Sequence, residues 1–202
     1  IHGPCAYCGT HHIKRTKGHI LPRSMYPDTL PTAKRLTVPE CLECKKLWED
    51  AEPHFRNIIL SIWDPVALPS DSRTASMFRS FKQPDGRRRA NDLLARIKSG
   101  EQEAIHPAKD SLFNLVLRRI VRGLCHKHQI ETAVEDHRVH CDVMRWEIPQ
   151  EFEAMLTWNS ISDNFFRYAY AVINDHQINS FWLLHFSKHI MFFGVVDDEV
   201  QC

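Results

Sequence analysis

Apolar residues recur at near-helical spacing in two parts of the chain. The segment from residue 40 to 63 is predicted to be helical, and Pro53 should either break that helix or open a second one in its first turn. A stronger amphipathic helix is predicted between residues 109 and 128, where Asp110 and Ser111 can cap its start. One side of this second helix carries Leu112, Leu115, Val116, Arg119, Ile120 and Gly123.

After Glu131 the hydrophobic period falls to nearly two residues, which indicates strands. Four segments rich in β-branched and aromatic residues are predicted strands: DHRVHCDVMRW, NFFRYAYAVI, SFWLLHFSK and HIMFFGVV. Earlier in the chain, CGTHHIKRTKGHILP predicts two short strands around a turn, and PTAKRLTVPE predicts a loop that crosses back. GRRRANDLLARIKSG predicts a short helix that ends at Gly100. The pattern therefore predicts an α+β protein in which an antiparallel meander packs on helices.

Composition places the chain among globular proteins. Of its 202 residues, 43% are hydrophobic and 25% are charged, and no apolar run approaches the roughly 18 residues that a membrane span needs. The first residues carry no secretory signal pattern, so a cytoplasmic protein without a membrane segment is expected. Phosphate-binding loops, dinucleotide fingerprints and nucleophile elbows are absent from the sequence.

Basic residues gather near the N-terminus although the net charge is only +1. Between residues 14 and 46, eight Lys or Arg residues stand against three acidic ones. Such a cluster can bind phosphate, or it can be an ordinary solvated face. The candidate nucleic-acid-binding residues are Lys14, Arg15, Lys17, Arg23, Lys34 and Arg35.

Four of the seven cysteines form two C-x-x-C pairs, Cys5 with Cys8 and Cys41 with Cys44. An odd number of cysteines with such short spacings argues against a disulfide framework and favours a metal-binding site in a reducing compartment. Tetrahedral zinc takes four thiolates, and a closed site of this kind is structural because it leaves no position open for chemistry. The sequence therefore predicts one structural zinc ion on these four cysteines.

Three motifs occur in order: C-x-x-C-G, then x-H-I-x-P-x-S around His19, then V-P-x-C-x-x-C leading into a helix. Over about the first 60 residues this set resembles the HNH endonuclease family, whose fold is a zinc-stapled ββα-metal module. The resemblance implies such a module over residues 1–63. Residues 64–202 would then form a C-terminal domain of helices and antiparallel sheet, with a role that the sequence does not indicate.

The resemblance also implies roles for single residues. His19 stands at the position of the general base, which takes a proton from the water that attacks a phosphodiester. Three other positions depart from the family pattern. Gly18 replaces the acidic metal ligand, Lys45 replaces the metal-binding Asn on the helix, and Lys34 lies about where an orienting Asn falls. Neither glycine nor an ammonium group offers a lone pair to a cation.

Two functional hypotheses follow. In the first, the chain is an HNH-type endonuclease that cuts nucleic acid, with DNA as the expected substrate. Its activity would be weak or would depend on a partner. Its catalytic residues would be His19, Glu49 and Lys45, with Mg²⁺ or Mn²⁺ held by Glu49, alone or with Asp50 or Glu52. In the second, it is a catalytically inactive HNH-derived zinc module that binds DNA or a protein partner. The missing acid before His19 favours the second hypothesis.

Overall fold

The computed structural model describes residues 3–11, 14–62, 79, 82–84, 87–88, 91, 109–162, 165–173, 175, 177–186 and 190–198. It confirms an α+β fold, with two strands ahead of the first helix and a five-stranded antiparallel sheet toward the C-terminus. Its strands are β1 (Arg15–His19), β2 (Thr37–Cys41), β3 (Val139–Val143), β4 (Thr157–Ser162), β5 (Phe166–Val172), β6 (Ile178–Phe186) and β7 (Ile190–Asp197). Its helices in the described residues are α1 (Leu42–Trp48), α2 (Ala51–Ile62), α3 (Ser111–Lys127) and α4 (Gln150–Glu153).

The N-terminal sheet differs from the predicted hairpin. Among the described residues, the strand that pairs with β1 is β2, which runs antiparallel to it and lies in the segment predicted as a crossing loop. In the connection between the two strands, the Ile20 amide donates to the Leu36 carbonyl (3.0 Å), so the ladder continues past His19. Pairing between distant segments therefore supplied a strand that the local sequence, with its Pro39 and Glu40, did not indicate.

Two of the three predicted helical segments are present, with ends that differ from the predicted ones. The first one divides into α1 and α2 at Glu49 and Asp50, and Pro53 lies in the first turn of α2, where a proline is tolerated. The Asp110 carboxylate caps α3 by accepting from the Phe113 amide (3.1 Å), as predicted. The helix predicted to end at Gly100 lies outside the described residues.

The five-stranded sheet has the order β3-β7-β6-β5-β4, with every neighbouring pair antiparallel. The four predicted strands correspond to β3, β5, β6 and β7, whereas β4 was not predicted because Thr157–Ser162 is mostly polar. One face of the sheet packs on α3. A Cβ on Gly194 would lie only 2.7 Å from Val121 of that helix, so glycine permits this close approach.

The buried core is continuous between the N-terminal elements and the C-terminal sheet. One cluster of buried apolar residues includes Cys5 and Trp48 near the start and Phe192 and Val196 in β7. A smaller cluster lies on the opposite face of the sheet, which we call the outer face. The predicted domain boundary after residue 63 lies outside the described residues. No helix among the described residues combines the length and the apolar character needed to cross a bilayer.

Candidate functional site

The four predicted metal-binding cysteines come together. Their sulfur atoms all lie within 4.8 Å of one another, and the Cys8 and Cys41 sulfurs are 3.9 Å apart. Tetrahedral coordination at about 2.3 Å would place the sulfurs about 3.8 Å apart, so the spacing suits a tetrahedral ion. Cys5, Cys41 and Cys44 are buried and Cys8 is exposed. The cluster can therefore hold a metal ion such as zinc.

Local backbone geometry positions both cysteine pairs. In the first pair, the Gly9 amide donates to the Cys5 carbonyl (2.9 Å), and the positive φ of 71° at Gly9 closes the turn. In the second pair, Cys41 caps α1, and its sulfur accepts from the Cys44 amide (3.3 Å). Sulfurs that accept backbone N–H groups are arranged for the charged thiolate form that a metal ion requires.

A pocket of about 200 Å³ lies next to this cluster, between β1 and the helices. It brings together the three predicted catalytic residues: His19 at the end of β1, Lys45 on α1, and Glu49 just after α1. Gly18 lines the same pocket, so both positions that depart from the family's metal ligands are found here. Lys34 does not line the pocket; it is exposed at the end of a 3-10 turn.

His19 is half-buried against the Tyr26 ring, with the ring centroids 5.8 Å apart. Burial lowers the pKa of His19 below its usual value. The positive charges of Arg23, Arg35, Arg119 and Lys17 lower that pKa further, because they disfavour a second cation. The imidazole is therefore neutral at neutral pH and can accept a proton.

A buried ionic network forms the floor of this pocket. The side chain of Glu40 is 1% exposed, and its Oε1 accepts from Trp48 Nε1 (3.0 Å) and Arg119 Nη2 (3.2 Å). Arg119, which is 2% exposed, also donates to Glu52 Oε1 (2.6 Å) and to the His19 carbonyl (2.9 Å). Burial raises the pKa of Glu52, and the Arg119 charge opposes that change. Arg119 thus links His19 at the end of β1 and Glu40 near the end of β2 to Glu52 on α2.

The sequence did not assign a role to Glu40 or Arg119, although one signal for Arg119 was present. It falls on the side of α3 that carries Leu115, Val116 and Ile120, and a charge on a buried helix face needs a partner. The partners are 67 residues away at Glu52 and 79 residues away at Glu40, which no local pattern can indicate.

The predicted nucleic-acid-binding residues are spread around this site. Lys17 and Arg23 line the pocket and are exposed. Lys14 and Lys34 are exposed outside it, and the Arg35 guanidinium lies 5.6 Å from the centre of the Tyr26 ring. The side chain of Arg15 lies outside the described part of the chain.

Comparison with protein-family models, with characterised proteins and with solved structures found no match to this chain. The resemblance to the HNH family therefore rests on the motifs of the first 60 residues or so. The ββα order and the cysteine cluster agree with that resemblance without identifying the family, which stays a prediction.

Proposed function

We propose that this chain is an HNH-derived module, stapled by one structural zinc ion, that binds the phosphodiester backbone of nucleic acid at the pocket around His19. The observation that carries the proposal is the gathering of His19, Lys45 and Glu49 in one pocket beside the cysteine cluster. In the HNH family, the histidine at the position of His19 is the general base, and residues on the helix hold the cation that stabilises charge on the phosphate. DNA is the expected nucleic acid.

The charges around the pocket support an anionic ligand. Four basic residues line it (Lys17, Arg23, Lys45 and Arg119) against three acidic ones (Glu40, Glu49 and Glu52). Two of the acids are bonded to Arg119, which leaves three exposed basic groups, those of Lys17, Arg23 and Lys45, against the exposed carboxylate of Glu49. Binding through such groups depends on phosphate and only weakly on base sequence.

The proposal predicts salt-sensitive binding to duplex or single-stranded DNA. Replacing Lys17 and Arg23 together by Gln should weaken binding for all sequences and reduce the slope of log K against log[salt] by about two, or about one per lost phosphate contact. Fluorescence anisotropy with a labelled oligonucleotide measures both quantities. Lys127→Gln serves as the control, because this exposed lysine lies at the far end of α3 and outside the pocket. Undetectable binding of both forms of DNA at low salt would remove the proposal and leave a protein-interaction module.

Hydrolysis of the bound phosphodiester is a second candidate function, favoured by the neutral imidazole of His19. This ring can take a proton from an attacking water while the new P–O bond forms and the bond to the leaving sugar oxygen breaks. The leaving oxygen would then take a proton from solvent. Lys45 and Glu49 lie in the same pocket, where Lys45 can offset charge on the phosphate.

We expect any cleavage by the wild-type chain to fall by about 10²- to 10⁴-fold in His19→Ala, the usual contribution of a general base. Cleavage is measured on plasmid and single-stranded DNA with Mg²⁺, with Mn²⁺ and without added divalent ion. The His54→Ala variant controls for loss of a histidine, because His54, on α2, bonds to Asp110 at the start of α3 and does not line the pocket. Equal cleavage by wild type and His19→Ala would show that a contaminating nuclease, or another site, does the cutting.

A further inference from the structure

We propose that the guanidinium of Arg119 replaces the divalent cation of the HNH site, so that this pocket binds nucleic-acid phosphate without a metal ion. The inference deepens the proposed function and rests on it for the identity of the ligand. The pocket's side chains do not match the ligands that hold the catalytic cation in the HNH family. The differences occur at three places in the pocket.

The first mismatch is at Gly18, where the family has an acidic ligand. The space for a side chain at this position is already filled. A Cβ built on Gly18 would lie 2.5 Å from Oε2 of Glu40 and 2.6 Å from its Cβ. A carboxylate is therefore present beside His19, but it arrives from β2 across the sheet.

The second mismatch is in what that carboxylate binds. Glu40 Oε1 accepts from Arg119 at 3.2 Å, and the same guanidinium bonds to Glu52 at 2.6 Å and to the His19 carbonyl at 2.9 Å. Two carboxylates and a carbonyl oxygen are hard donors of the type that Mg²⁺ prefers. Here they surround a cation that is covalently part of α3.

The third mismatch is that the other side chains in the pocket add positive charge and do not bring metal-ligand atoms together. Lys45, at the family's second ligand position, adds a positive charge to the pocket and has no lone pair for a metal. Within the described residues, the four cysteines are the one group of three or more His, Cys, Asp or Glu side chains whose ligand atoms converge. Glu49, which lines the pocket, belongs to no such group among the described residues.

Binding of Mn²⁺ to the protein in the absence of DNA provides the first test, because this measurement does not depend on nucleic-acid binding. Mn²⁺ broadens the NMR signals of nuclei close to it. In wild-type protein we expect micromolar Mn²⁺ to leave the amide signals of Gly18 and His19 no more broadened than those of exposed control residues. Selective, saturable loss of the Gly18 and His19 signals at micromolar Mn²⁺ would overturn the inference, whatever the outcome with DNA.

Removing the internal cation provides the second test. Arg119→Met should leave Glu40 and Glu52 without their partner, so we expect this variant to gain selective Mn²⁺ broadening at Gly18 and His19, at least tenfold tighter than wild type. Arg119→Lys keeps a charge and should behave like wild type. Arg122→Met is the matched control. This neighbouring buried arginine bonds to the Tyr7 carbonyl (2.7 Å) and Val134 carbonyl (2.6 Å), does not line the pocket, and should gain no Mn²⁺ affinity.

DNA binding separates this inference from the function on which it rests. At matched ionic strength, wild type should bind a labelled duplex at least as tightly in Na⁺ alone as with Mg²⁺, since Mg²⁺ only competes for phosphate. Binding that requires Mg²⁺ would overturn the inference and leave the proposed function in place. No binding under either condition would remove the proposed function, and the Mn²⁺ measurements alone would then decide whether Arg119 stands where a cation would be. An Arg119→Met variant that fails to fold leaves the wild-type Mn²⁺ result decisive.

Discussion

Replacing Cys41 by Ser is expected to release the metal ion and to lower the melting temperature of the whole chain by about 10–20 °C. Cys41 is fully buried, caps α1 and belongs to the sulfur cluster. Structural zinc contributes about 10–16 kcal/mol in small zinc-binding peptides. A loss of even about 5 kcal/mol corresponds to such a shift, since each kcal/mol moves the midpoint by about 2–4 °C in a chain of this size.

The effect should reach the C-terminal sheet, because the cysteine pairs are tied to α3. Arg122 donates to the Tyr7 carbonyl within the first pair, and a Cβ on Gly123 would meet both Tyr7 and Ile20 at 3.1 Å. We therefore expect one cooperative transition by circular dichroism. Elemental analysis measures the metal, with Cys141→Ala as control, since this buried cysteine lies in β3 away from the cluster. A Cys41→Ser protein with a full equivalent of zinc would contradict the assignment.

Gly18→Ala is expected to destabilise the fold by about 3 kcal/mol, far more than a typical change on a strand. The added methyl group would overlap the Glu40 side chain, which cannot move without breaking its bonds to Trp48 and Arg119. The larger Gly18→Asp substitution also brings a second carboxylate against Glu40. It therefore cannot restore the family's metal ligand while Glu40 stays in place.

A double-mutant cycle tests whether the Glu40 side chain causes the loss of stability in Gly18→Ala. Denaturant unfolding should show that Gly18→Ala costs less than about 1 kcal/mol in the Glu40→Gly background, because the clashing side chain, including the Glu40 Cβ at 2.6 Å, is then absent. Lys17→Ala, on the same strand but exposed, should change the free energy of unfolding by no more than about 0.5 kcal/mol. A Gly18→Ala protein as stable as Lys17→Ala would refute the packing of Glu40 against Gly18.

Features set by local chemistry could be predicted from the sequence. The two C-x-x-C pairs indicated the sulfur cluster, because four thiols at that spacing satisfy one tetrahedral ion. α3 followed from its apolar period and the Asp110 cap, and β5, β6 and β7 followed from alternating aromatic and β-branched residues. The resemblance to the HNH family named His19, Lys45 and Glu49 together, and these residues line one pocket, although their catalytic role stays a prediction.

Features that depend on distant partners could not be predicted. β2 contains Pro39 and Glu40, which lower its strand propensity, and it becomes a strand only by pairing with β1. β4 is short and largely polar, so its pattern resembles a loop until β5 lies beside it. The role of Arg119 depends on two carboxylates in other elements, and only the folded chain brings these groups together.

Locating bound DNA on the protein surface is the decisive test of the proposed function. Backbone amide NMR signals of the zinc-loaded chain are followed while a short duplex is added at low salt. We predict that the largest shifts fall at Lys17, Gly18 and His19 and at Lys45 and Glu49, the residues that line the pocket. Shifts confined to the outer face of the five-stranded sheet, around Phe181 and Phe193, would contradict the account, as would a spectrum that the duplex leaves unchanged.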